Sequence, residues 1–263
     1  MNKGLDNICN IVGGDFDYVC NPNVLSMYNN SSMIEIENVI HSYLERMECK
    51  GIKYVSIYFR KKGIKETEAL AFLGKILNQH QTLTYIVHYF ELQAVDKLFS
   101  EYAGTPILYS VTAEKSSLLK GITILKDRNC PMIVQPVDDN GIGVTLEHRI
   151  KIINSIIDAF CKNNISKDFI YVDPLSPTVY FKPCCLELSI QTTHYCTQSG
   201  IKTVLWPENA ARGYRKKQNY IYECFSSMAV GVGLNLLVAK IEDSNIQEIV
   251  EDANIIRGGI KDE

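Results

Sequence analysis

An aspartate at the end of an apolar run is the residue best suited to chemistry in this sequence. Residues 169–172 read Phe-Ile-Tyr-Val and lead directly into Asp173, which a proline follows. The run predicts a strand buried on both faces, and the proline, which has no N–H to donate to a sheet, predicts that the strand ends at Asp173. Parallel α/β folds bind ligands at the carboxyl ends of their strands. Asp173 is therefore a candidate ligand-binding carboxylate that can accept two N–H bonds from the edge of an amidine-like heterocycle.

Polar and mostly neutral side chains end the other strand-like runs. The set comprises Ser56 and Tyr58, His88, Tyr109 and Ser110, Gln135, and Glu208 and Asn209. If the strands are parallel, these groups surround Asp173 and suit a flat heterocycle with several hydrogen-bond donors. The set contains no carboxylate pair for glycoside hydrolysis, no ligand group at metal-binding spacing and no nucleophile with an evident base. We therefore expect no metal site.

Apolar runs of strand length alternate with amphipathic segments of helix length. The strand-like runs are residues 54–59, 83–88, 106–110, 132–135, 169–172, 203–205 and 234–239, and the helical segments are residues 36–47, 67–77, 92–101, 115–125, 146–160, 186–196, 220–230 and 245–255. A weaker run at residues 17–25 completes eight strand and helix units. Eight parallel units with right-handed crossovers predict an α/β fold, a single (β/α)8 TIM barrel, with a doubly wound sheet as the alternative.

The composition favours one soluble domain over residues 1–263. Apolar residues make up 46% of the chain, which is ample for a barrel-sized core. A net charge of -3 does not indicate the basic surface that nucleic-acid binding requires. Neither a membrane span nor a signal peptide is evident, so we expect a cytoplasmic protein with no nucleic-acid or membrane partner. Nine cysteines without a Cys-x-x-Cys pair are typical of reduced thiols.

Three features near the predicted strand ends each allow two interpretations. The Gly-Ile-Gly stretch at residues 141–143 lacks the lysine of a P-loop, so a turn is favoured over phosphate binding. A basic stretch at residues 212–217 is either a solvated surface or a clamp for an anionic group. Trp206, the only tryptophan, either packs in the core or stacks on a ring.

Several short segments, taken together, resemble one enzyme family. They are Thr112-Ala-Glu, Tyr171-Val-Asp-Pro-Leu, Thr203-Val-Leu with Asn209 four residues beyond it, Phe225-Ser-Ser-Met-Ala and Gly233-Leu. In this order they are similar to segments of the methyltetrahydrofolate:corrinoid methyltransferases, which belong with the dihydropteroate synthases to the pterin-binding (β/α)8 enzymes. The likeness extends from Thr82 to Lys240.

The resemblance implies a function and a set of partners. Members of that family move a methyl group from N5 of methyltetrahydrofolate to the cobalt of a corrinoid (cobalamin) carried by a separate protein, and they act as homodimers. By resemblance, Asp173 binds the pterin ring of the folate, and Asn209 bonds to N5 as it gains the proton that makes the methyl group more electrophilic. His88, Tyr109 and Gln135, at neighbouring strand ends, complete the expected pterin-binding set.

The sequence departs from the family at three strand ends. The family carries Asp-x-Asn, Asp and Asn at the second, third and fourth strands, where this chain has Ser56 with Tyr58, His88 and Tyr109. Each acceptor lost from a buried site costs roughly 1–3 kcal/mol for the N–H group left unpaired. A dihydropteroate synthase is less favoured still, because its Asn-x-Thr-x-Asp-Ser-Phe and late Ser-x-Arg segments are absent.

Three functional hypotheses follow from the resemblance and the departures. The first is a divergent methyltransferase of the methyltetrahydrofolate to corrinoid type, which we favour. The second is a non-catalytic relative that keeps the barrel and serves as a binding or scaffold subunit. The third is a methyltransferase with a changed methyl donor.

Overall fold

The computed structural model describes residues 8–14, 31–61, 63–89, 91–178, 185–213, 217–239 and 245–258. Its strands are β1 (Asn10–Gly13), β2 (Tyr54–Ile57), β3 (Thr84–His88), β4 (Ile107–Val111), β5 (Met132–Val134), β6 (Val137–Asp138), β7 (Gly141–Ile142), β8 (Ile170–Val172), β9 (Lys202–Leu205) and β10 (Leu236–Ala239). Eight of them form a closed parallel barrel in the order β1-β10-β9-β8-β5-β4-β3-β2, and β6 pairs with β7 in a separate hairpin. The predicted TIM barrel is thus confirmed.

Helices connect the barrel strands. They are α1 (Met33–Cys49), α2 (Glu66–Leu77), α3 (Leu92–Glu101), α4 (Lys115–Asp127), α5 (Leu146–Lys162), α6 (Cys185–Gln198), α7 (Glu208–Ala211), α8 (Gln218–Gly231) and α9 (Ile246–Ile256), with a 3-10 turn at Lys167–Phe169. Every predicted helical segment overlaps one of these helices, and the four-residue α7 is an addition. Helix α5 begins where the sequence indicated, because the Thr145 hydroxyl accepts the N–H of His148 at 3.2 Å.

Two expectations from composition concern cysteines and membranes. The seven cysteines within the described residues are all free thiols. None of the helices in those residues combines the length and the apolarity that a bilayer-spanning helix needs.

The first strand lies upstream of the run that we assigned to it. Strand β1 is Asn10–Gly13, whereas the run at residues 17–25 lies outside the described residues. Long-range bonds position this short strand: the Asn10 N–H donates to the carbonyl of Asn235 at 2.8 Å, and the side chain of Asn254 bonds to the backbone of Cys9. A four-residue strand held by such bonds has too short a hydrophobic pattern to be recognised in the sequence.

Contacts within the chain group it into two compact units: residues 13–110, called the 13–110 unit, and residues 1–12 with 111–263, called the 111–263 unit. In the 13–110 unit, β3 pairs with β2 and β4, and its register aligns His88 with Tyr109. In the 111–263 unit, β8 pairs with β5 and β9, and its register aligns Val172 with Val134 and Thr203. Neighbouring strand ends are therefore level within each unit. That residues 1–263 form one domain stays a prediction.

Candidate functional site

Asp173 lies directly after β8, and its carboxylate is held in one orientation. The residue is 4% exposed. Its Oδ1 accepts the backbone N–H of Leu175 at 2.8 Å, and its Oδ2 accepts the side-chain Nε2 of Gln135 at 2.9 Å. The bond from the Leu175 N–H closes a turn over the proline, and the chain continues through Leu175 with a φ of 60°. The predicted strand stop is therefore an Asx turn built around a buried acceptor.

Gln135 is brought to Asp173 by the pairing of β5 with β8. Val134 and Val172 are partners in register, and the backbone N–H of Asp173 donates to the carbonyl of Val134 at 2.9 Å. The two residues that follow these partners are Gln135 and Asp173, so their side chains meet. A donated amide N–H stabilises the ionised form of a carboxylate. The structure thus places two of the predicted site residues in direct contact.

Arg149 is a member of this region that the sequence analysis missed. It is 1% exposed, its Nε donates to the carbonyl of Gly143 at 2.9 Å, and its Nη1 donates to the carbonyl of Pro174. Burial lowers the pKa of the Arg149 guanidinium to about 10, and the nearby Asp173 carboxylate opposes that shift. Arg149 therefore remains protonated at neutral pH.

A signal for Arg149 was present in the sequence. The buried stripe of α5 consists of Arg149, Ile152, Ile153, Ile156 and Phe160, so the arginine stands at an apolar position of the helical repeat. Charged side chains are almost never fully buried unless they are paired. A cation on the buried stripe of an amphipathic helix therefore predicts a polar partner inside the fold.

The Gly-Ile-Gly stretch follows the turn of a hairpin, because residues 139 and 140 form the turn and Gly141–Ile142 is strand β7. Gly141 has a φ of 101°, and the N–H of Asn140 donates to Oδ1 of Asp138 at 2.8 Å. A side chain at Gly143 would place its Cβ 2.7 Å from Cγ of Arg149. Gly143 is therefore required for close packing against the arginine, and Gly141 for the backbone conformation of the turn.

Asn209 lies on the short helix α7, just beyond the end of β9, and is half-buried. The carbonyl of Trp206, at the start of this segment, accepts the hydroxyl of Ser176 at 2.7 Å. That bond joins the β9 end to the turn that follows Asp173. Trp206 itself is half-buried. The role of Asn209 toward N5 of a folate stays a prediction.

The basic stretch beside α7 is described only in part. Arg212 and Lys217 are exposed, whereas Arg215 and Lys216 lie outside the described residues. The hydroxyl of Thr178 donates to the carbonyl of Arg212, which again joins the β8 loop to the β9 loop.

His88 and Tyr109 meet in the 13–110 unit, together with Ser56 and Tyr58. The hydroxyl of Ser56, which is 6% exposed, lies 3.3 Å from Nε2 of His88. The His88 ring centroid is 4.4 Å from that of Tyr109 and 5.5 Å from that of Tyr58, with the rings tilted. Burial lowers the pKa of His88 to about 4, so the imidazole is neutral near pH 7. Rings and hydroxyl groups therefore stand where the resembled family has Asp and Asn.

We expect the substitution His88→Gln to reduce the acid sensitivity of the fold. Unfolding restores the ordinary His88 pKa of 6.5, so the unfolded chain gains the proton first and stability falls as the pH drops from 6.5 toward 4. The loss of free energy of unfolding between pH 7 and pH 4.5 should be smaller in the variant by about 2 kcal/mol, measured by urea denaturation. His194→Gln, an exposed change on α6, is the control. Equal acid sensitivity in His88→Gln and wild type would contradict the burial argument.

Comparison with solved structures identifies the fold. The chain superimposes on the dihydropteroate synthase of Vibrio fischeri ES114 with a TM-score of 0.69 and 12% identity, covering 96% of this chain and 94% of that one. A Coxiella burnetii dihydropteroate synthase in complex with pteroic acid gives 0.67 and 10%, covering 95% and 94%. The Xanthomonas albilineans enzyme in complex with 7,8-dihydropteroate gives 0.65 and 11%, also covering 95% and 94%. This chain shares the (β/α)8 barrel fold of these structures.

Comparisons that use the sequence alone give no match. No protein-family model and no curated protein matches it. The structural neighbours show the (β/α)8 barrel fold that the resemblance implied, and they do not single out the methyltransferases. Among the described residues, no group of three or more His, Cys, Asp or Glu side chains could hold a metal ion.

Proposed function

We propose that this protein binds a folate-type pterin at the ends of β5, β8 and β9 and transfers a methyl group from it. The observation that carries the proposal is the buried Asp173 carboxylate, held by the side chain of Gln135 and the backbone of Leu175. Burying a carboxylate costs free energy that hydrogen bonds must offset, and here a side-chain amide and a backbone N–H are placed on its two oxygens. Its position after a barrel strand is where enzymes of this fold bind their ligands.

The chemistry of a pterin matches such a carboxylate. The 2-amino-pyrimidinone edge of the ring presents two neighbouring N–H donors, which one carboxylate accepts side by side. The bonds from Gln135 and Leu175 hold the two oxygens of this carboxylate in a defined plane, which favours recognition of a flat ring edge. Each hydrogen bond to a charged group contributes about 1.5–3 kcal/mol. Two structural neighbours contain pteroic acid or 7,8-dihydropteroate, which supports a ligand of this class.

The resemblance to the corrinoid methyltransferases supports methyl transfer as the reaction. In this proposal Asp173 orients the pterin ring, N5 takes a proton from solvent, and the side-chain oxygen of Asn209 accepts a hydrogen bond from the N5–H that results. The bond from N5 to the methyl carbon then breaks as the bond from carbon to cob(I)alamin cobalt forms, and N5 keeps the proton. The acceptor is the cobalt of a corrinoid on a partner protein that docks over the strand ends. We keep the homodimer and the cytoplasmic location as expectations from the resemblance and the composition.

Methyl transfer can be tested by following cob(I)alamin spectroscopically in the presence of methyltetrahydrofolate. The wild type should consume cob(I)alamin only when methyltetrahydrofolate is added. Asn209→Ala should lower kcat by about 100-fold while the affinity for methyltetrahydrofolate stays within a few fold, because the loss of one preorganised hydrogen bond to a group that gains charge in the reaction costs about 100-fold or more. Asn219→Ala, an exposed amide on α8, is the matched control. Tight pterin binding without cob(I)alamin consumption would reject methyl transfer.

A second candidate function is a non-catalytic binding or scaffold subunit for a corrinoid partner. The neutral cluster of Ser56, Tyr58, His88 and Tyr109 favours it, since these side chains replace the acceptors of the resembled family. A purified protein that binds no methyltetrahydrofolate but forms a complex with a corrinoid protein would support this function. Catalytic consumption of cob(I)alamin would exclude it.

A further inference from the structure

The peptide unit between Pro174 and Leu175 is held at both of its ends. Its carbonyl oxygen accepts the Nη1 of Arg149, and its N–H donates to Oδ1 of Asp173 at 2.8 Å. Arg149, one peptide group and Asp173 thus form a continuous hydrogen-bonded series. Because a peptide group is planar, fixing its oxygen also fixes the direction of its N–H. The guanidinium therefore determines where the N–H that orients the carboxylate points.

A second anchor fixes the guanidinium itself. Its Nε donates at 2.9 Å to the carbonyl of Gly143, in the hairpin segment that follows β5, the strand that also carries Gln135 at its end. The missing side chain of Gly143 leaves room for Arg149, since a Cβ there would lie 2.7 Å from Arg149 Cγ. Arg149 thus bonds to the segments that follow β5 and β8, the two strands whose ends supply Gln135 and Asp173.

The energetic cost of burying the Arg149 guanidinium indicates that its hydrogen bonds have a specific role. A guanidinium that is 1% exposed loses its hydration, and only good hydrogen bonds and a nearby opposite charge offset that loss. An aliphatic side chain could occupy the same buried stripe of α5 without such a requirement. Arg149 donates to one carbonyl in the hairpin segment after β5 and to one in the turn after β8, and the charge of Asp173 lies near it.

We propose that Arg149 is a positioning residue for ligand binding, which acts by holding the Pro174–Leu175 peptide and through it the carboxylate of Asp173. This inference rests on the proposed function in that Asp173 is the group that meets the ligand. Arg149 itself contacts the turn and not the ligand. Its guanidinium geometry matters as well as its charge, because two separate carbonyls are reached by two different nitrogens.

The test compares Arg149→Met, Arg149→Lys and Gly143→Ala with the wild type. Lys151→Met, which removes a cation from the exposed face of the same helix, is the matched control. Three quantities are measured: hydrogen exchange of the Leu175 amide, the pH midpoint at which the carboxyl carbon resonance of Asp173 titrates, and the affinity for methyltetrahydrofolate. The amide of Asp173, which donates to Val134 within the sheet, is the internal reference for exchange.

In Arg149→Met we expect Leu175 to exchange at least about tenfold faster while Asp173 exchanges as in the wild type, the signature of a local change. The titration midpoint of Asp173 should move to higher pH, because a positive charge near the carboxylate has been removed. Affinity for methyltetrahydrofolate should fall about tenfold. In Arg149→Lys the titration midpoint of Asp173 should lie close to the wild-type value, because the positive charge is kept. The Leu175 amide should still exchange fast, since an ammonium group lacks the two-nitrogen geometry of the guanidinium. Lys151→Met should change none of these quantities.

Unchanged protection of Leu175 and unchanged affinity in a folded Arg149→Met protein would overturn the positioning role. If Arg149→Met does not fold, Gly143→Ala replaces it in the test, because this variant keeps the charge of Arg149 and displaces its side chain. Unchanged exchange of the Leu175 amide in Gly143→Ala would then overturn the positioning role. A wild type that binds no methyltetrahydrofolate would reject the proposed function alone, because the exchange and titration measurements need no ligand.

Discussion

Asp173→Ala is expected to weaken methyltetrahydrofolate binding by at least about 100-fold. In the proposed complex the carboxylate accepts the paired N–H donors of a pterin edge, and each bond to a charged group contributes about 1.5–3 kcal/mol. The loss of two such bonds corresponds to a factor of about 100 or more in affinity. Isothermal titration calorimetry of the purified variant measures this directly.

Asp173→Asn is the more discriminating form of the same experiment. Its side-chain oxygen can still accept the N–H of Leu175, so the turn is retained, but its amide nitrogen now faces the donor nitrogen of Gln135. A ligand N–H would meet a donor where it needs an acceptor. We therefore expect a similar loss of affinity with a smaller loss of stability than in Asp173→Ala.

The matched control is Asp168→Asn, an exposed aspartate just before β8. It should bind methyltetrahydrofolate as the wild type does. Urea denaturation of all three variants separates loss of the site from loss of the fold. Unchanged affinity in a folded Asp173→Asn protein would remove Asp173 from the binding site.

Asn254→Ala is expected to lower the free energy of unfolding by about 2–4 kcal/mol, the largest stability effect that we predict. Asn254 is 3% exposed, and its side chain accepts the N–H of Cys9 at 2.9 Å and donates to the carbonyl of Cys9 at 3.0 Å. Its amide thus bonds to the backbone of Cys9 as a neighbouring strand would. Removal leaves two buried backbone groups unpaired, at a cost of about 1–3 kcal/mol each.

Urea denaturation at neutral pH measures this loss, and hydrogen exchange of the Cys9 amide shows whether the residue preceding β1 loosens first. Asp252→Ala, on the exposed face of the same helix, is the control and should change stability by less than about 0.5 kcal/mol. A change in Asn254→Ala no larger than that of the control would show that its bonds to Cys9 do not stabilise the fold.

Much of the candidate site followed from local sequence. Asp173 was identifiable because a strand-length apolar run and a proline stop are signals that act within a few residues. The apolar runs of β3, β5 and β9 were also identifiable, which placed His88 and Gln135 at strand ends and Asn209 shortly beyond one. That His88 contacts Tyr109 follows from the register of β3 with β4, once those strands are known to be neighbours.

Other features depended on bonds between distant residues. Arg149 donates to a carbonyl 25 residues away, and Cys9 pairs with a side chain 245 residues away. No local pattern specifies such partners. The burial of Arg149 could have been suspected from its place on the apolar stripe of α5, but the identity of the two carbonyls could not.

The sequence by itself determined the barrel, its helices and the carboxylate at the end of β8, because hydrophobic period, caps and proline stops are properties of neighbouring residues. Only the tertiary structure decided the position of β1, the bond between Gln135 and Asp173, and the bonds of Arg149 to the turn after β8. These three depend on which strands become neighbours and on which buried polar groups then find partners. The requirement to pair every buried polar group is met only after the chain has closed.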